Sequence, residues 1–405
     1  MESLVSRFLR YAKVHTTSDP DSDSTPSTRR QFDLLSMLAE ELEEMGAVDV
    51  FLSEEGALYA SVPGSGPPIG LIAHVDTSPD APGENVSPIL HEEWDGSPID
   101  LPSGQVIDPA DCEDMERYVG GTIITSDGTT LLGADDKAGV AVIMETARTL
   151  LEDRSLPRPD LRLAFTTDEE VGRGVEGFDT DRFGARFAYT VDGSAVGKVD
   201  HRTFSAWQAE WTIGGREVHP GYARGTMVNA VRMVSQLVSM VGADRMPEAS
   251  SGEEGYIYPH SLEATVGCAR LKMLLRDFTS EGMEEKISQL RAMRDYLEAA
   301  FPGSEVELSL EEQYKNPAEV LREDPRPVEY ALEGTRRAGL EPVRSSIRGG
   351  TDGSRLSYMG VPTVNLPTGG ELFHSRREWV AAEGLRLALQ TVLQTVFIWG
   401  RGGPG

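Results

Sequence analysis

The stretch LLGADDKAGVAVIMETARTLLEDRSLPRPDLRLAFTTDEE, residues 131–170, joins a helix to a strand and sets acidic clusters at the entry of one and the exit of the other. Residues 137–151 carry apolar side chains three and four apart, the helical period. Residues 161–166 form an apolar run of strand length between turn residues. Working outward, residues 57–62, 69–74 and 187–191 repeat the strand pattern, and residues 30–45 repeat the helical one. Strands this apolar have no face to give to water. Alternating with helices, they predict an α/β fold whose mostly parallel sheet is covered by helices on both faces. Ligands collect beyond the carboxyl ends of the strands in such a sheet. His74, Asp192 and the pair Glu169–Glu170 lie at or just past those ends.

Residues 208–314 have a different rhythm. Strand signals at 208–213, 262–266, 270–276 and 306–312 are interleaved with helical ones at 227–241 and 281–300. In the first of these helices Met227, Val231, Val234, Leu237, Val238 and Val241 share a face. The order β-α-β-β-α-β is the ferredoxin-like pattern. It predicts an α+β lid domain over 208–320, inserted into a catalytic domain formed by 1–207 and 321–405. The catalytic part resumes with a helix at 327–338, a strand at 363–366 and a C-terminal helix from Glu378 to about Val396. Residues 91–118, acidic and rich in Pro and Gly, read as a surface excursion.

A net charge of −28 argues against nucleic acid and anionic lipid as partners. No apolar run approaches the ~20 residues that span a bilayer. The N-terminal stretch lacks a secretory apolar core, and Cys112 and Cys268 are too few for a disulfide framework, so a reducing cytoplasm is expected. Of 38 basic residues only 6 are Lys, leaving 32 Arg. This acidic surplus fits either an adaptation to high salt or an ordinary solvated acidic surface. In the first case Tm rises between low-salt buffer and molar KCl, because screening relaxes self-repulsion. A flat or falling Tm leaves only the second.

Five separated patches end in a residue that a divalent metal accepts: His74, Asp135, Glu170, Asp192 and His374. Two residues past His74 at a strand end, Asp76 can take the second imidazole N–H and so fix the tautomer. Asp135 has two oxygens, enough to bridge cations ~3.5–4 Å apart, although Asp135 or Asp136 can equally cap the following helix. Of the adjacent Glu169 and Glu170, one can ligate while the other stays free to move protons. Asp192 and His374 can each complete one shell. Read singly, each patch also has a plain structural reading; together they are the ingredients of a two-metal hydrolase. His219 and Asn229 in the insert, and Arg276 and Arg348 as carboxylate-holding guanidinium groups, are the candidates for substrate binding.

HVDTSPD, LLGADDKAG, DEEVG, YTVDG, VHPG, MVNA, RDF, IRGGTDGS and FHS follow one another between residues 74 and 375. In this order they resemble the motifs of the aminoacylase and carboxypeptidase G type of di-zinc metallopeptidases. The resemblance implies two zinc ions held by His74, Asp135, Glu170, Asp192 and His374, with Asp135 bridging. It further implies Glu169 as general base, Asp76 in support and a cis peptide between Asp135 and Asp136. Cobalt or manganese suits the same cage. The implied activity is a cytoplasmic aminopeptidase that releases the N-terminal residue of tripeptides, with His219 steadying the oxyanion. Dipeptidase, carboxypeptidase and N-acyl amino acid deacylase activities remain alternatives on the same centre. A metal-free binding protein is the rival from another class, and no ligand position is lost to favour it. Short peptides are the expected partners, with neither nucleic acid nor membrane; a homodimer stays open. The stretch SRREW after His374 departs from the expected pattern, though it still ends in an acid and an aromatic.

Overall fold

Strand Leu161–Thr166 and its neighbours Ile69–His74, Phe187–Gly193 and Thr363–Pro367 run parallel at the centre of an eight-stranded sheet in the computed structural model, which describes residues 3–404. The hairpin Val48–Leu52 and Leu58–Val62 flanks them antiparallel on one side, and Lys198–Thr203 does so on the other. Successive residues of one strand enter different cores, as the two-residue period requires. Leu71 and Leu163 pack with Phe8, Leu38, Ile143 and Val392 from helices Leu4–Ala12, Gln31–Met45, Ala134–Glu152 and Ala382–Gly400. Ile72 and Ala164 pack on the opposite face with Phe178, Phe183 and Leu356. Each leucine so buried stabilises the fold by about 1.5–3 kcal/mol.

Regular helical geometry in Ala134–Glu152 begins only at Lys137, because Asp135 (φ −84°, ψ 107°) and Asp136 (φ −117°, ψ 31°) lie outside the helical region. The Asp135–Asp136 peptide is cis. Asp136 takes the capping role, its Oδ1 accepting from Gly139 N at 3.2 Å, which leaves Asp135 free for another task. Gly139 is needed for close approach, since a Cβ there would meet Val191 O at 1.8 Å. That contact brings the helix entry against strand Phe187–Gly193, which carries Asp192.

Two compact units divide the chain: Met1–His201 with Pro317–Ser346 and Thr351–Gly405, and Arg202–Asn316 with Ile347–Gly350. The second unit begins earlier than residue 208 because its strand Ser205–Gly214 is continuous through that point, and it also takes in Arg348. Its sheet runs Tyr256–Ala264, Cys268–Asp277, Ser205–Gly214, Glu305–Tyr314, all antiparallel, against helices Ala230–Val241 and Ser280–Ala300. The buried face of Ala230–Val241 is Ala230, Met233, Val234, Leu237 and Val241, while Val231 is exposed. The expected stripe was misplaced at its start because Asn229 caps the helix, so Met227 lies before it.

Two further expectations are corrected. The C-terminal helix starts at Ala382, not Glu378, because Trp379–Ala381 is a strand paired with Ile123–Thr125. Residues 91–118 are more than an excursion: Trp94, Ile99, Leu101, Ile107, Met115 and Tyr118 are buried in a core of their own around Trp379. Among the described residues no helix is long and apolar enough to cross a membrane.

Candidate metal centre

Each proposed ligand stands at a strand end or in the turn beside one. His74 closes Ile69–His74, Asp192 is next to last in Phe187–Gly193, and Glu169 and Glu170 open the turn Glu169–Val171 beyond Leu161–Thr166. His74 Nε2 lies 3.0 Å from Asp135 Oδ1 and 3.5 Å from Asp192 Oδ1. His374 Nε2 lies 2.8 Å from Glu170 Oε2 and 3.3 Å from Asp135 Oδ2. Asp135 therefore turns one oxygen to each imidazole. Two triads result, His74–Asp135–Asp192 and Asp135–Glu170–His374, with the ligand atoms of each within 4.8 Å of one another. They share Asp135 alone.

Asp76 supports more than the ring. Its Oδ1 is 3.3 Å from His74 Nδ1, which also faces Asp76 O at 3.1 Å. The same buried carboxylate accepts the N–H of Glu169 at 3.1 Å and of Glu170 at 3.3 Å. One side chain thus orients an imidazole and the turn that carries both glutamates. Within that turn the two glutamates part company: Glu170 joins a triad and Glu169 joins neither.

The charge balance says what such cages would hold. Burial, reinforced by Asp135, pushes the Asp192 carboxyl up to about 7 and that of Glu170 up to about 8. Burial also raises Asp136 and Glu169. Asp135 and Glu170 in turn hold the His374 imidazole up to about 11. Glu170 Oε1 is buried with no hydrogen-bond partner among the described residues. A sheltered cluster with too much negative charge, an orphaned carboxylate oxygen and nitrogen donors alongside fits divalent cations.

All four candidates for substrate binding fall in the inserted unit. His219 is exposed, with Nδ1 accepting from Gly221 N at 3.1 Å. Asn229 Oδ1 accepts from Val231 N at 2.9 Å as the helix cap. Arg276 Nη1 donates to Leu275 O at 2.9 Å. Arg348 Nη1 donates to Gly252 O at 2.6 Å, and Nη2 donates to Ser250 Oγ at 2.7 Å. Both guanidinium groups are thus engaged by their own unit, and a substrate carboxylate would compete with those acceptors.

Three residues near the centre escaped sequence reasoning: Asp80, Asp168 and Glu378. Asp80 Oδ2 lies 3.5 Å from His374 Nδ1. Asp168 precedes the two glutamates in a left-handed conformation, φ +61°. Its buried carboxylate accepts from Ser27 N at 2.6 Å and Gln31 Nε2 at 2.7 Å, while Gln31 Oε1 takes the Asp168 N–H at 3.1 Å. The run of three acids in TTDEE was a signal, but it did not say which acid was structural. Asp168→Ala strands those buried donors and is expected to lower unfolding free energy by about 1–3 kcal/mol, measured by urea denaturation. An unchanged midpoint would deny Asp168 that role.

Two His–carboxylate triads joined through one aspartate, at the carboxyl edge of a sheet with helices on both faces, are the arrangement a divalent-metal hydrolase requires. The family model of peptidase family M20/M25/M40 matches residues 128–397, and the chain belongs to that family. It is 40% identical over 403 residues to Peptidase T of Clostridium perfringens (strain 13 / Type A), covering 98% of this chain and 99% of the relative. A crystal structure of a tripeptidase from Staphylococcus aureus is similar in fold, with a TM-score of 0.77, 23% identity and 98% of each chain covered. A Bacillus subtilis protein described as a dinuclear metal-binding peptidase of the M20 family gives a TM-score of 0.67 at 16% identity, over 98% of this chain and 97% of that one.

Proposed function

We propose that this metallopeptidase is a tripeptide aminopeptidase acting through two zinc ions. The observation that carries the chemistry is Asp135, whose Oδ1 lies 3.0 Å from the Nε2 of His74 and whose Oδ2 lies 3.3 Å from that of His374. Tripeptides are favoured as substrates because the relatedness to proteins called Peptidase T runs over nearly the whole chain.

In this reading His74, Asp135 and Asp192 would hold one ion, and Asp135, Glu170 and His374 would hold the other. When bound, the ions polarise the scissile carbonyl and lower the pKa of water to ~7. Glu169, in neither cage, collects the water's proton and returns it to the departing amine. Asp76 keeps the His74 ring and the Glu169–Glu170 turn in register. His219, Asn229, Arg276 and Arg348, all of the inserted unit, are the residues assigned to substrate binding, His219 as a hydrogen-bond donor and a guanidinium group as the partner of a carboxylate. The enzyme then works in the cytoplasm on short peptides.

The test is product analysis on a panel of tripeptides, dipeptides and N-acyl amino acids, before chelation, after it and after zinc return. Free-amine tripeptides should yield one amino acid and one dipeptide, with activity lost on chelation and restored by zinc. Preference for dipeptides or acyl amino acids would overturn the assignment. Within the panel, Arg348→Ala should weaken free-acid tripeptides more than their amides; equal losses would remove its proposed contact.

A further inference from the structure

Glu378 lies four residues past His374 and is 1% exposed. Its Oε2 accepts from Leu132 N and Gly133 N, each at 2.7 Å, and its Oε1 accepts from Asp135 N at 2.9 Å. These N–H groups belong to the turn that delivers Asp135, where Gly133 is left-handed (φ +79°) and Asp135 is extended, so no helical carbonyl is offered to them. Three charge-assisted hydrogen bonds to one carboxylate are strong and directional. The strand beginning at Trp379 does not depend on them, because it is already paired with Ile123–Thr125 and with Gly370–Glu371.

The consequence lies in what the two joined turns carry. One bears Asp135, whose Oδ2 faces His374 Nε2 at 3.3 Å; the other bears His374 itself, held in a left-handed conformation at φ +58°. Glu378 spans them across more than two hundred residues of sequence. We propose that Glu378 is a positioning residue that sets the turn of Asp135 against the turn of His374 and so holds the Asp135–Glu170–His374 cage at its working geometry. The His74–Asp135–Asp192 cage feels it only through the shared aspartate. This rests on the reading that the two triads hold cations, and its test is separable from that reading.

Metal-stripped full-length protein is titrated with zinc against a chromophoric chelator, for wild type, Glu378→Gln and Glu378→Asp. His374→Ala identifies which binding step belongs to the second cage. Wild type should bind two ions. Glu378→Gln keeps the shape but sets an amide among three donors, and Glu378→Asp keeps the charge one methylene short. Both should weaken the step lost in His374→Ala by about 10–100-fold, the usual effect of removing a support behind a ligand, and weaken the other step less. In turnover, kcat should fall more than KM rises. Circular dichroism of the metal-free variants checks the fold. A wild type that binds fewer than two ions would sink the cation reading itself. Two unchanged binding steps in a folded variant would sink the role of Glu378, even with a lowered Tm. Loss of fold in both variants would also overturn it, by making the residue structural only.

Discussion

Glu169→Ala should retain both metal ions and lose turnover by about 10²–10⁴-fold, the range for removing a positioned general base. Metal retention is expected because Glu169 belongs to neither triad; its backbone N–H, not its carboxylate, is what Asp76 holds. The carboxyl is raised by burial, with His74 opposing and Asp352 and Asp192 reinforcing. The loss should appear in kcat with KM little changed, the pattern for an interaction made only in the transition state. Elemental analysis and steady-state kinetics on the same preparation decide the matter. Loss of an ion would move Glu169 into the ligand set, and unchanged turnover would remove it from the chemistry.

Asp135→Ala is expected to empty both cages at once, whereas His374→Ala should leave the first still able to bind. The difference follows from geometry: Asp135 is the one residue common to the two triads. Activity of Asp135→Ala should fall at least about 10³-fold, since the several kcal/mol that metals lend the transition state is lost from both positions. Thermal stability gives a second readout. Zinc at a thousandfold over its Kd should stabilise wild type by about 4 kcal/mol, while the Tm of Asp135→Ala should not respond. If Asp135→Ala retained one tightly bound ion, the bridging assignment would fall.

Much of the fold was legible because its signals are local. The apolar run at Leu161–Thr166 and the helical period after Lys137 lie where expected, since full burial in a parallel sheet and one-sided packing of a helix both leave their period in the chain. The order of elements in the insert was legible for the same reason. Misreadings came where a distant partner overrode a local pattern. Residues 379–381 look helical beside the helix that follows, yet Ile123–Thr125 draws them into a sheet. The Pro- and Gly-rich stretch 91–118 looks like a surface loop, yet Trp379 and Leu340 give its scattered apolar residues a core.

The same division runs through the metal centre. Residue types and their places at strand ends depend on chain-local patterns and on the polarity of a parallel sheet, so the residues that gather into the two triads could be named from the chain alone. Which oxygen of Asp135 meets which imidazole could not, nor that Asp136 rather than Asp135 caps the helix. The three N–H groups gathered by Glu378 were hidden likewise. The longest of these contacts joins residues 246 positions apart, and their geometry is set by how strands and turns pack against one another. No periodicity along the chain encodes a distance of that kind.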